Sequence, residues 1–432
     1  MMKKTTISIF IFLFIITGNY ALSIRGNLSP LARVKKSLHQ RGYSCLDFTK
    51  KDYNILSETD RIFAFAETQL NYAIKCTQEA KQKSGDKSLV SPYSINEDGS
   101  LKLVGPYDWC SGFFPGSLWQ MYAYTHNEYW RKEAVKYTCP LEKVKWYKGT
   151  HDLGFMLYCS FGQGYRLTKA QSYKKVLIQA AKSLSSRYNP RVRAIRSWDW
   201  NRNVWQYPVI IDNMLNLELL FWASEATGDS LYYDIAVNHA NTTLKNHFRS
   251  DYSSYHVVDY DTITGTVHFK GTHQGYSDAS VWSRGQAWGL YGFTMCYRFT
   301  KNLAYLNQAE RIVYFIFNQP NLPTDLIPYW DMKDPGIPNV PRDASAAAVT
   351  ASALYELSGY VESSKSGWYK HLADIIIKNL SEHYQVSPRT NQGFLLLHST
   401  ANCPKNRQVD VPLSYADYYY LEALLRKAIL EK

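Results

Sequence analysis

The feature that most constrains this chain is a loose internal repeat, carried by pattern and not by identity. Each unit opens with a helical stretch apolar on nearly every side, turns through a short polar segment, and returns as an amphipathic helix. A helix apolar all round belongs in an interior, and an amphipathic one belongs outside it. One unit starts at Asp212, turns at Gly228-Asp229 and returns from Leu231 to Phe248. Others run from Trp282 through the turn Lys301-Asn302 to Phe317, and from Asp343 through a turn near Ser363–Ser366 to Tyr384. Earlier, Gly112 to Thr125 with Glu128 to Tyr137, and Asp152 to Leu167 with Ala170 to Tyr188, fit the same template. The unpaired first helix (Glu58 to Lys83) and last helix (Tyr415 to Leu430) close the ring, about six hairpins in all. The expected fold is all-α, an (α/α)6 toroid over 55–432, with weak strand signals confined to connections such as Ser254 to Phe269.

In such a ring every inner helix runs the same way, so their N-termini gather at one end with the long connections. Helix N-termini carry partial positive charge and free N–H groups, a setting suited to anions. The inner starts are His151-Asp152, Asp212-Asn213, Trp282 to Gln286, Asp343-Ala344-Ser345 and Tyr415-Ala416-Asp417. Asp152 and Asp212 come from neighbouring units and would face one pocket, where paired carboxylates can divide acid and base duties. An aspartate at a helix start is more often only an N-cap, and Asp343 and Asp417 are read no further than that. The preceding connections add Trp198, Trp200, Trp205, His256, His273 and Gln274 at the same end. Metal-ligand spacing such as H-x-x-x-H is missing, Gly162-Gln163-Gly164 lacks the rest of a nucleotide loop, and there is no Gly-x-Ser-x-Gly elbow. Acid–base chemistry on a sugar survives this sieve, with no metal and no cofactor expected.

Composition agrees. Aromatics make up 15%, with 35 Tyr and 12 Trp, which serves either stacking on pyranose faces or a large helical core. The net charge of +12 points to an anionic partner, and its scatter argues against nucleic acid. Seven distant cysteines exclude a dense disulfide framework and leave room for one or two bridges. Lys3 and Lys4 before the apolar run Ile7–Ile16, with Ala21-Leu22-Ser23 as cleavage site, mark residues 1–23 as a signal peptide. Residues 24–54 read as an extension, no membrane anchor remains after cleavage, and the mature chain is expected in the periplasm or secreted.

Six stretches together resemble unsaturated glucuronyl hydrolases, glycoside hydrolase family 88. They are His151-Asp152-Leu153-Gly154-Phe155, Ser197-Trp198-Asp199, Pro208 to Asn216, Thr272 to Asp278, Trp282 to Trp288 and Ala416 to Leu424. The resemblance implies the (α/α)6 toroid and an anionic oligosaccharide substrate whose terminal uronic acid carries a C4–C5 double bond. It implies hydration of that vinyl ether, with Asp212 as general acid/base and Asp152 as the assisting aspartate. It also implies that His256, Gln274, Arg284 and Trp288 line the pocket, with Trp198 and Trp282 as walls. Ser399 and Lys405 match positions that contact a sulfate in some relatives, with Asn402 in place of a second Ser. Cys110 departs from the family pattern and is read as structural. The nearest alternative is an unsaturated rhamnogalacturonyl hydrolase acting on pectin fragments. A non-catalytic glycan-binding protein and a toroidal lyase are the readings from other classes.

Overall fold

The computed structural model describes residues 57–431, so the expected signal peptide (1–23) and extension (24–54) lie outside the described residues. Helix α1 (Glu58–Ser84) begins at a capping box in which Ser57 and Asp60 satisfy each other's backbone N–H groups. Hairpins follow: α2 (Phe113–Thr125) with α3 (Glu128–Thr138), then a π-helical segment Gly154–Gly162 running into α4 (Gln163–Thr168) with α5 (Gln171–Ser185). Next come α6 (Asn213–Thr227) with α7 (Ser230–Asn246), and α8 (Ser283–Thr300) with α9 (Leu303–Phe317). Last are α10 (Ala344–Leu357) with α11 (Ser363–Asn379), and α12 (Ser414–Leu430). Each first helix packs on the next, and α12 packs back on α2, so six inner elements close a ring. The molecule is an (α/α)6 toroid.

Burial follows the expected division. In α10 every residue except Glu356 is buried, whereas α11 buries only Tyr369, Leu372, Ala373, Ile376 and Ile377, one stripe at helical spacing. Three hairpins share one turn. A left-handed residue ends the inner helix (His126, Gly228 or Lys301), and the following Asn127, Asp229 or Asn302 caps the outer one through its side chain. The left-handed residue satisfies the last free carbonyls and the cap satisfies the first free N–H groups, so two residues reverse the chain.

Two expectations need correction. The turn placed near Ser363–Ser366 lies earlier, at Gly359–Val361, because Glu362 is already extended and the small polar residues form the first turn of α11. The helix expected from Asp152 starts as a π-helix at Gly154, and the Asn216 side chain satisfies the free first-turn N–H of Phe155 at 3.0 Å. The strands keep to the connections, as expected. A hairpin, β1 (Ser91–Ile95) with β2 (Leu101–Val104), precedes the ring, and a two-residue pair follows, β3 (Tyr188–Asn189) with β4 (Ala194–Ile195). The short strand β5 (Pro208–Ile210) joins β6 (Val257–Tyr260) and β7 (Val267–Gly271) in an antiparallel sheet that leads directly into Asp212. The six described cysteines are all free thiols. Among the described residues no helix is long and apolar enough to cross a membrane.

Candidate active site

The connections interlock at the end where the inner helices begin. Thr150 pairs with Trp198, Trp282 with Asp331, and Ser399 with Val411. The long connections thereby form a wall around the inner starts.

Asp212 occupies the N-cap position of α6 but is helical in backbone and makes no capping bond. The cap reading therefore fails for this residue. Its carboxylate is buried, and Oδ2 has no hydrogen-bond partner among the described residues. Burial pushes its pKa up to about 7, and the neighbouring Asp152 charge adds to that, while His151 and Arg284 pull it down. Asp152 is no cap either. Thr150 Oγ1 donates to its Oδ2, and His151 Nε2 lies 3.0 Å from its Oδ1. One aspartate is thus left unsolvated and unpaired, and the other is held by two donors.

His256 ends the connection that leads into β6. Its Nδ1 accepts the backbone N–H groups of His273 (3.0 Å) and Gln274 (3.1 Å), which places the ring proton on Nε2. Burial holds the imidazole well below its usual pKa, so it is neutral. Nε2 then points a donor toward Asp212 Oδ2, 3.7 Å away.

Arg284 lies in the first turn of α8 and is fully buried. Its Nη1 donates to Asp343 Oδ2 at 2.5 Å and to the Thr400 carbonyl, and its Nη2 donates to the Ala401 carbonyl. The guanidinium sits against the rings of Trp282 and Tyr415. Gln274 Nε2 donates to the same Ala401 carbonyl, so Arg284 and Gln274 together clamp the segment that carries Ser399 and Lys405. Asp343 does cap α10, through Ser345 N, but it also balances Arg284 in the interior. Asp417 is not a cap: it braces the Leu395 and Leu396 N–H groups and stands apart from the Asp152–Asp212 pair.

The walls are aromatic. Trp282 packs on His256 at 4.5 Å, and the buried Trp288 packs on Phe155 and Tyr419. Trp198 lies flat on Trp200, with ring centroids 4.7 Å apart and His273 tilted against both. Trp200 is half exposed, and Lys405 Nζ approaches its ring at 5.9 Å. Burial, with the charges of Lys405 and Arg407, pushes His273 down to about 4. Ser399 is buried with its hydroxyl unpaired among the described residues. Cys110 is buried and donates its thiol to Asp108, away from any role with solvent. Sequence reasoning did not single out Thr150, and named Ser197 only as part of a motif. Thr150 acts on Asp152 two residues away and Ser197 on the distant His151, and the alternating Trp198-Asp199-Trp200 was the one local sign of a stacked pair.

A buried carboxyl raised to about 7 beside a hydrogen-bonded carboxylate, walled by rings, is an arrangement that can carry acid–base chemistry. The model of Glycosyl Hydrolase Family 88 matches residues 85–405. The chain belongs to glycoside hydrolase family 88. This family 88 enzyme is 46% identical, over 82% of its length and 94% of the relative's, to an unsaturated glucuronyl hydrolase of Formosa agariphila. It is 35% identical to an unsaturated chondroitin disaccharide hydrolase of Streptococcus pneumoniae, over 78% of its own length and 85% of the relative's. A crystal structure of an unsaturated glucuronyl hydrolase specific for heparin superimposes with a TM-score of 0.81 at 46% identity, covering 86% of the family 88 chain and 98% of the other.

Proposed function

We propose that this enzyme hydrates the unsaturated uronyl residue at the non-reducing end of glycosaminoglycan-derived oligosaccharides, with Asp212 as general acid and base. The observation that carries this is Asp212 itself, buried, uncapped, unpaired at Oδ2 and pushed up to about 7. A carboxyl group that keeps its proton near neutral pH can donate it to C4 of the enol ether. Positive charge then develops at C5 and is shared with the ring oxygen. Water adds at C5 and gives its proton to the Asp212 carboxylate, which restores the acid. The resulting hemiketal opens to a 5-keto sugar and the aglycone leaves from C1. Asp152, already held by Thr150 and His151, assists by keeping negative charge beside the pocket and by binding the sugar.

The remaining roles follow from position. The neutral His256 offers Nε2–H, and Arg284, balanced by Asp343, holds the Thr400–Ala401 segment that edges the pocket. Trp198, Trp282 and Trp288 shape the pocket, and Gln274 sits at its edge. The exposed Lys405 addresses a sulfate on the neighbouring sugar, while Ser399, whose hydroxyl is buried, stays behind the wall. The glucuronyl and chondroitin substrates named for the relatives support glycosaminoglycan fragments over pectin fragments. The leader at 1–23 supports action outside the cytoplasm, on fragments that lyases release there, by a single catalytic domain over 55–432.

The test is loss of ultraviolet absorbance from a panel of lyase-made unsaturated disaccharides, glycosaminoglycan and pectin, with wild type and Asp212→Asn. The conjugated enoate absorbs and its hydrated product does not. Decay with wild type on the glycosaminoglycan members, and none with D212N, is expected. Decay on pectin members alone would transfer the activity to the rhamnogalacturonyl class.

A further inference from the structure

Ser197 stands where the segments bearing the two aspartates meet. Its carbonyl accepts the His151 N–H at 3.1 Å, and its own N–H donates to the Pro208 carbonyl at 2.8 Å. Its hydroxyl accepts the Ile210 N–H at 2.9 Å and lies 3.3 Å from His151 Nδ1. Ile210 is two residues before Asp212, and His151 is one before Asp152. Ser197 and His151 are both almost fully buried, so water does not compete for these bonds.

The chemistry of the atoms sets the direction of the chain of bonds. An ionised carboxylate only accepts, so the His151 nitrogen 3.0 Å from Asp152 Oδ1 carries a hydrogen. When the ring carries a single hydrogen, Nδ1 is then an acceptor and needs a donor. The Ser197 hydroxyl, 3.3 Å away, is the group placed to be that donor while it also accepts the Ile210 N–H. A hydrogen bond to one ring nitrogen decides what the other can do. We propose that Ser197 is a positioning residue for the hydration. It holds His151 in the Nε2–H tautomer, directs that hydrogen at Asp152, and ties the Asp152 segment to the strand that presents Asp212.

The inference rests on the acid–base reading of the two aspartates. The groups around this relay are Asp152 and Asp212, with the imidazoles of His239 and His256 and the guanidinium of Arg284 within electrostatic reach; Asp152 also feels Cys110. None of these supplies Nδ1 of His151 with a hydrogen bond among the described residues.

Two measurements on the full-length enzyme test it. The first is the ring 15N spectrum of histidine-labelled wild type at pH 7.5, with the His151 signals assigned by their loss in His151→Gln. Nδ1 as the bare acceptor and Nε2 as the protonated nitrogen is the expected result. The opposite tautomer would overturn the proposal whether or not any variant folds, and whatever the activity assay shows. The second compares Ser197→Ala with Ser197→Thr, which keeps the hydroxyl. Losing such an orienting partner costs about 10–100-fold in activity. S197A is expected to lose that much kcat with KM little changed, to shift the pH at which kcat falls, and to mix the His151 tautomers, while S197T keeps the wild-type profile. An S197A enzyme with a wild-type pH profile and an unmixed tautomer would make Ser197 plain scaffolding and sink the idea. A wild type inert toward every unsaturated disaccharide would instead remove the acid–base reading, and the tautomer spectrum would still report on the Ser197 bond.

Discussion

His256 Nε2 faces Asp212 Oδ2 across 3.7 Å, and neither atom makes a hydrogen bond among the described residues. Two backbone amides fix the proton of His256 on the side facing Asp212, and burial keeps the ring neutral. A neutral donor stabilises the Asp212 carboxylate once its proton is spent, without the charge that would strip the proton beforehand. An imidazolium at this place would pull Asp212 back toward the ordinary carboxylate range.

The activity should follow the proton on Asp212. With its pKa pushed up to about 7, kcat for disaccharide hydration falls with rising pH, by about tenfold per unit well above that value. A kcat–pH series on one preferred substrate checks this. A rate that stays flat from pH 6 to 9 would contradict Asp212 as the acid.

The same residue should cost stability in alkali. Asp212 is raised from 3.8 to about 7, so the native state holds its proton through a window where the unfolded chain has lost it. Its favourable contribution is complete below about 3.8 and is lost as pH rises through about 7. A shift of this size corresponds to about 4 kcal/mol between the two extremes. Asp212→Asn carries no buried charge, so its Tm should exceed wild type at pH 8 and lose that advantage at pH 4.5. Equal melting at both pH values would show the charge to be solvated in the native state.

Gly154 is the point at which the Asp152 segment touches α6. A Cβ there would lie 2.6 Å from Asn216 Cα and 2.7 Å from its Oδ1. Gly154→Ala should therefore push the π-helical segment off α6 and break the bond from Phe155 N–H to Asn216. Overpacking of this kind costs about 1–3 kcal/mol. Urea unfolding should show that loss, and kcat/KM should fall as the two aspartates separate.

Asp343→Ala removes the partner of a fully buried guanidinium. Breaking such a pair from one side costs about 3–5 kcal/mol, because the remaining charge stays unsolvated. Chemical denaturation measures it. Asp343→Asn keeps the shape and should fall between, while a neutral effect for D343A would mean that the Thr400 and Ala401 carbonyls suffice to hold Arg284.

What was legible in the chain beforehand was whatever repeats locally. Apolar positions on all sides of α8 and α10 and on one stripe of α11 distinguish inner from outer helices within a dozen residues, and six such pairs can close only as a ring. The direction of the inner helices then brings Asp152, Asp212 and the residues before them to one end. Left-handed residues followed by Asn or Asp likewise mark three of the tight turns. Tertiary structure alone decided what each of those residues does there. Asp212, Asp343 and Asp417 all stand at helix starts. The first caps nothing, the second caps a helix and pairs with Arg284, and the third braces a distant loop. The proton on His256 is set by backbone amides 17 and 18 residues away, and Arg284 is held by a carbonyl 117 residues along the chain. Periodicity reports how a residue meets its own helix, whereas charge state and tautomer depend on depth of burial and on partners that only folding brings near.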